Sequence, residues 1–190
     1  DFNLNPQFTY SQNLRQSNPG GANAEPRNEL PDEGFAHLDI LLNSYTAKTD
    51  LEHPAVGPFS GTVGIEYKYQ NQDTRGNEPL VPSATVQNIA AFVFEQAEIN
   101  NLTFSFGARL DARSQEAEPN IDLNLPDKNA GETNEVLSQS YVEFSGSLGA
   151  TYQFAEEFTI ATNIGRGFRA PSLFNLHVDG VHGGIAAYQV

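Results

Sequence analysis

Hydrophobic and polar residues alternate strictly through three long stretches of this chain. From Val142 to Phe154 the even positions are Val142, Phe144, Gly146, Leu148, Ala150, Tyr152 and Phe154, and every odd position between them is polar or small. Leu102–Arg113 repeats the pattern, with Leu102, Phe104, Phe106, Ala108, Leu110 and Ala112 set against Thr103, Ser105, Gly107, Arg109, Asp111 and Arg113. A third copy runs through Phe59, Gly61, Val63, Ile65, Tyr67 and Tyr69. A period of two belongs to a strand with one apolar face, whereas a helix repeats every 3.6 residues. Weaker versions predict strands over Asp1–Gln12, Ala36–Glu52, Thr85–Gln96 and Glu157–Arg169, and an eighth cut short at Gly184–Val190. Ala36–Glu52 reads as changing face near Leu41–Leu42, which predicts a bulge or a late strand start. Thr85–Gln96 is apolar on both faces around Ala90–Phe94.

The connections alternate between long and short. Gln12–Gly34, Asn71–Ser83, Ser114–Ser138 and Pro171–Gly183 are long, polar and rich in Gly, Pro, Asn, Asp and Glu. Between them sit His53–Pro58, Asn100–Asn101 and Ala155–Glu157. Tight turns at one end and long loops at the other describe an all-β, antiparallel up-and-down transmembrane barrel segment of about seven to eight strands. The short turns would be periplasmic and the long loops extracellular. Phe59 to Tyr69 covers roughly 33 Å of strand, which at a tilt of about 45° rises roughly 23 Å, close to the apolar band of about 25 Å. Phe59, Phe94, Phe104, Phe154 and Phe158 collect near the tight-turn ends, where an aromatic girdle belongs. The rival reading is a secreted or surface β-sandwich that binds a ligand without transport, with the same aromatics in its core. Its strands would be unusually long.

Composition narrows the function. The formal charge is −14, with 24 acidic and 10 basic residues, which argues against a nucleic-acid partner. With no Cys, disulfides, thiolate metal sites and Cys nucleophiles are excluded. No apolar run approaches the ~20 residues of a spanning helix, and the first residues do not form a signal peptide. Residue 1 is Asp rather than Met, so a processed end or a fragment edge is expected. Catalytic signatures are missing: there is no Gly-x-Ser-x-Gly elbow, no His-Glu-x-x-His and no phosphate loop, so no enzyme and no cofactor are expected.

The run from Asn163 to Gly184, containing Arg169-Ala170-Pro171 and then Asp179-Gly180-Val181-His182, resembles a stretch of TonB-dependent outer-membrane receptors. In that family a strand ends in Arg-Ala-Pro, an extracellular loop carries an Asp-Gly-x-His element, and the next strand begins near a Tyr or Phe, here Tyr188. Gly57–Tyr67 and Phe104–Asp111 are similar to barrel strands of the same family. The resemblance implies that residues 1–190 are part of a transmembrane barrel domain in the bacterial outer membrane, importing a metal ion, metal chelate or siderophore-like ligand. It further implies outer-membrane lipid and an energy-transducing TonB protein as partners, the latter acting through a plug domain. No plug or TonB box is recognisable, and a plugged barrel needs about 22 strands. One contiguous part of a larger receptor is therefore expected.

Three groups of residues invite site readings. His177, Asp179 and His182 cluster in a predicted outer loop and could bind ligand or a borderline metal ion, or they could simply face solvent around a turn; His37 and His53 stand apart. Glu116, Glu118, Asp122, Asp127, Glu132 and Glu135, opposed by Lys128, form either a funnel for cationic cargo or a solvated loop. Arg109, Asp111, Arg113, Glu143 and Arg169 fall on polar strand faces and are expected to face the lumen. A three-residue turn over Ala155–Glu157 would set Phe154 opposite Phe158, Leu148 opposite Ile164, and Glu143 opposite Arg169. Arg166 is the one charge on the apolar face of its strand and is expected at the outer headgroup level.

Overall fold

The computed structural model describes residues 1–17, 38–76, 81–118, 138–177, 180–181 and 188–189. Seven strands form one antiparallel sheet in strict sequence order: β1 (Asn3–Ser17), β2 (Leu38–Val56), β3 (Phe59–Thr74), β4 (Ala84–Ile99), β5 (Leu102–Ala117), β6 (Ser138–Ala155) and β7 (Phe158–Arg166). The sheet is open, with β1 and β7 at its edges. A short helix, α1 (Leu173–His177), follows, and then a separate hairpin of β8 (Gly180–Val181) and β9 (Tyr188–Gln189). Among the described residues no helix is long and apolar enough to cross a membrane.

The tight turns follow from their residues. Gly57 takes φ 64° before Pro58, the positive-φ Gly that a two-residue hairpin of this kind needs at its first position. Asn100 takes φ 54° in the Asn100–Asn101 turn, a conformation Asn tolerates better than most residues. Asn101 donates from Nδ2 to the Gln153 carbonyl at 3.0 Å, tying this turn to the neighbouring strand. The third turn is Glu156–Glu157, with a register irregularity between Gln153 and Ala155. All three lie at one end of the sheet.

Register carries the apolar alternation across all seven strands. Leu4 pairs with Leu51, Leu51 with Val63, Val63 with Val93, and Val93 with Ala108. Phe106 pairs with Leu148, and Leu148 with Ile164 as expected, but the turn is the two residues Glu156–Glu157 rather than three: Ala155, not Phe154, stands opposite Phe158, and the irregularity between Gln153 and Ala155 absorbs the difference. One face is therefore continuously apolar and largely bare: Phe8 is 72% exposed, Ile65 59%, Leu148 59% and Ile164 74%. Tyr10, Tyr45 and Tyr69 meet in tilted contact across three strands on this face, with centroids 5.0 and 6.3 Å apart. Above them, towards the loop end, Asp39 is fully buried and accepts from Arg75 at 2.9 Å and Gln16 at 3.1 Å. The apolar band thus ends in tyrosines and then charge. At the turn end it closes on Phe59, Phe104 and the stacked pair Phe154–Phe158, 5.8 Å between centroids.

Several expectations are corrected. Phe94 belongs to the opposite, polar face, because it sits between Thr62 and Gly107 in the ladder. β2 does not change face at Leu41–Leu42; both its ladders run unbroken there, and the irregularity lies between His53 and Val56. β7 stops at Arg166 rather than Arg169, so Phe168 and Arg169 lie past the ladder. Gly165 and Gly167, with little β-propensity, and Pro171, which lacks an N–H, end the strand early. Tyr188–Gln189 pairs with Gly180–Val181 rather than extending the large sheet beyond β7. A sandwich needs a second sheet facing the first, and the only other sheet among the described residues is this two-residue hairpin.

Candidate functional site

The polar face of the sheet carries a connected set of charges. Lys48, Glu66, Ala90, Asp111 and Glu143 stand side by side across β2 to β6. The adjacent row is Asp50, Gly64, Phe92, Arg109 and Ser145. Arg109 binds both rows together: Nη2 donates to Glu66 at 2.8 Å, and Nε and Nη2 donate to Asp111 at 2.9 and 3.0 Å. Asn88 donates to the same Asp111 at 3.1 Å, so both carboxylate oxygens are occupied. Lys48 pairs with Asp50 at 3.1 Å and lies 5.1 Å from the centroid of the Phe92 ring. That ring lies over Gly64, where a side chain would collide with it. Phe92 and Phe94 explain why β4 reads as apolar on both faces.

Nearer the loop end, Arg113 and Gln115 follow Arg109 and Asp111 along the same face of β5. Gln115 is 1% exposed and donates from Nε2 to the Pro171 carbonyl at 3.2 Å, while its Oε1 accepts from Arg113 at 3.1 Å. This draws the segment after β7 back onto the sheet, where Leu173 packs with Ala84, Val86 and Ala117. Leu42 lines the same notch, which accounts for the second leucine of the Leu41–Leu42 pair. Ser172 caps α1, its Oγ accepting from the Asn175 N–H at 3.2 Å.

The expected lumen-facing set is brought together in part. Arg109, Asp111, Arg113 and Glu143 share the polar face, with Asp111 directly opposite Glu143. Arg169 is exposed and outside the ladder. Its expected place beside Glu143 is taken by Arg166, whose Nη2 lies 3.5 Å from Glu143 Oε2. Arg166 belongs by register to the apolar face, opposite Gly146. At the end of β7, its guanidinium reaches across to the carboxylate of Glu143.

His177 is the last residue of α1, and Asp179 and His182 lie outside the described residues, as do His37, Asp122, Asp127, Lys128, Glu132 and Glu135. Among the described residues no group of three metal-ligating side chains comes together. His53 has a different role. On the apolar face near the turn end, its Nε2 lies 3.0 Å from Glu95 Oε1, and Glu95 reaches it across Gly61. This pair was not read from the sequence, although Gly61 in an otherwise apolar row marks the place where it crosses.

A meander with one bare apolar face between aromatic borders, and one face of paired charges, is the wall of a transmembrane β-barrel. The whole chain, residues 1–190, matches the model of the TonB dependent receptor-like β-barrel. This protein belongs to that family. Over 91 residues it is also 32% identical to the TonB-dependent heme receptor A of Haemophilus ducreyi, an alignment covering 48% of this chain and 12% of that protein.

Proposed function

We propose that this chain forms part of the barrel wall of an outer-membrane receptor that imports a scarce nutrient. The cargo is a metal ion, a metal chelate or a siderophore-like ligand, and the similarity to a heme receptor favours a metal chelate. The observation that carries this reading is the division of one sheet into an apolar and a charged face within a chain of this family. On this reading the apolar face meets lipid. Arg109, Asp111, Arg113 and Glu143 line the lumen against a plug domain, through which a TonB protein supplies the energy for uptake. The loop carrying His177, Asp179 and His182 contributes ligand contacts. The chain's own part is binding and passage rather than bond chemistry.

The test is growth of the source bacterium, with its intact gene deleted or restored, on heme as the sole iron source. Growth should fail on deletion, return with the gene, and fail again when TonB is inactivated. Growth that survives loss of TonB would remove energised import from the account. Replacing His177 and His182 together by Ala should reduce growth on heme without lowering the amount of receptor in the membrane.

A further inference from the structure

Arg109 and Arg113 project from the same face of β5, yet only one of them is neutralised. Arg109 is held between two carboxylates, Glu66 and Asp111. Among the described residues Arg113 makes a single side-chain hydrogen bond, to the neutral amide of Gln115, and its buried Nε has no partner. The residues directly opposite it are Asn88 and Tyr141, and neither is an anion. Asp111, the nearest carboxylate along the strand, is already committed to Arg109 and Asn88. Among the described residues no carboxylate neutralises this guanidinium, and its terminal N–H groups not bonded to Gln115 can donate to an acidic partner.

The space beside it is shaped to receive one. A pocket of about 190 Å³ is lined by Arg113, Gln70, Gln72, Ser172, Leu173 and Val86. The two glutamines are held in place from behind, Gln70 donating to Ser44 at 3.0 Å and Gln72 to the Pro82 carbonyl at 3.1 Å. Each amide retains a further N–H. Leu173 closes one side, and Gln115, buried and bonded to Pro171, fixes the Arg113 fork. Pockets that enclose a whole drug-sized molecule run to about 300–1,000 Å³. This one has room for a single short arm of a ligand, with apolar Leu42, Ala84, Val86 and Leu173 on one side and Arg113, Gln70, Gln72 and Ser172 on the other.

We infer that Arg113, with Gln70 and Gln72, forms a carboxylate-binding subsite on the polar face near the loop end, which receives an acidic arm of the cargo. The carboxylate would accept from Arg113 in the planar geometry that a guanidinium offers and an ammonium does not. Assigning the arm to cargo rests on the import reading above; the carboxylate preference does not.

Two measurements on the intact full-length receptor in detergent keep these apart. The first is the rate of phenylglyoxal modification of Arg113, read by peptide mass spectrometry, with the ion-paired Arg109 as internal reference. Excess butyrate should slow modification of Arg113 several-fold and leave Arg109 unchanged; no protection of Arg113 overturns the subsite. The second compares heme, which carries two carboxylates, with its dimethyl ester, which carries none. Arg113→Gln should weaken heme binding about tenfold, the loss of one charged hydrogen-bonding partner, and leave the ester unaffected. Equal weakening of both would show that Arg113 acts by holding the fold, and would overturn the inference. Protection by butyrate with no heme binding would retain the carboxylate site and remove heme as its cargo.

Discussion

At Gly61 an added methyl group would run into the Phe94 carbonyl oxygen and the Cδ of Glu95. Backbone cannot yield as a flexible side chain does, so Gly61→Ala is expected to destabilise the receptor by about 1–3 kcal/mol, the usual cost of overpacking. It should also separate His53 from Glu95. The urea midpoint of the full-length receptor measures the first effect. Gly57→Ala, at the turn, meets no neighbour and should pay only for its positive φ. Arg109 offers a second test at this scale. Removing it strands two carboxylates, but a third of its side chain is in contact with water, which softens the penalty. Arg109→Ala should therefore cost about 1–2 kcal/mol, the lower part of the range for charged hydrogen bonds. Adding Glu66→Gln should recover part of that loss, as expected when one mutation relieves the charge that the other left unpaired. A double mutant that simply adds the two losses would deny the pairing.

Among the elements, the β6–β7 hairpin shows what alternation can and cannot reveal. Because both strands put even positions on the apolar face, Leu148 had to face Ile164, and it does. The same parity placed Glu143 opposite Arg169, but parity holds only while the strand lasts, and β7 ends at Arg166. Past Arg166 the glycine-containing segment makes no ladder pairs with β6 that would enforce register. Phe94 escaped for another reason: an aromatic ring on a polar face satisfies the alternation rule for neither face, and only its neighbour Gly107 reveals the side it covers. At the loop end β1, β3, β5 and β6 run past their alternating stretches, since above the tyrosines both faces turn polar and the period-two signal fades. The chain has no Cys, so register can be tested directly. Leu148→Cys with Ile164→Cys should oxidise to a cross-link, as directly opposed residues have suitable spacing. Leu148→Cys with Ile160→Cys should remain reduced, and the opposite result would mean the hairpin has slipped.

For the molecule as a whole, the open sheet buries very little of its own. The buried hydrophobic residues among those described are mostly alanines and valines, while the large side chains of the alternating rows stand exposed. A water-soluble domain with so wide a bare apolar surface would be expected to associate or aggregate. A barrel wall has a solvent for it, because the bilayer takes the place of a core. The borders of the band locate its middle. Phe59 marks the turn-end border and Tyr69 the loop-end border of β3, so Ile65 stands close to the middle of the apolar band, which the import reading places at the bilayer midplane. Arg at that depth on a lipid-facing position costs about 2–4 kcal/mol. Ile65→Arg should therefore lower the folding stability of the full-length receptor in lipid vesicles by about that amount, read from its urea midpoint. Thr62→Arg is the matched control on the other face, where Thr62 sits beside Phe94 and Glu52 among polar neighbours. Its effect should be much smaller, since the charge enters a hydrated, already charged lining. Reversal of that order, with Thr62→Arg the costlier change, would mean that the apolar face packs against protein and the polar face does not line a lumen.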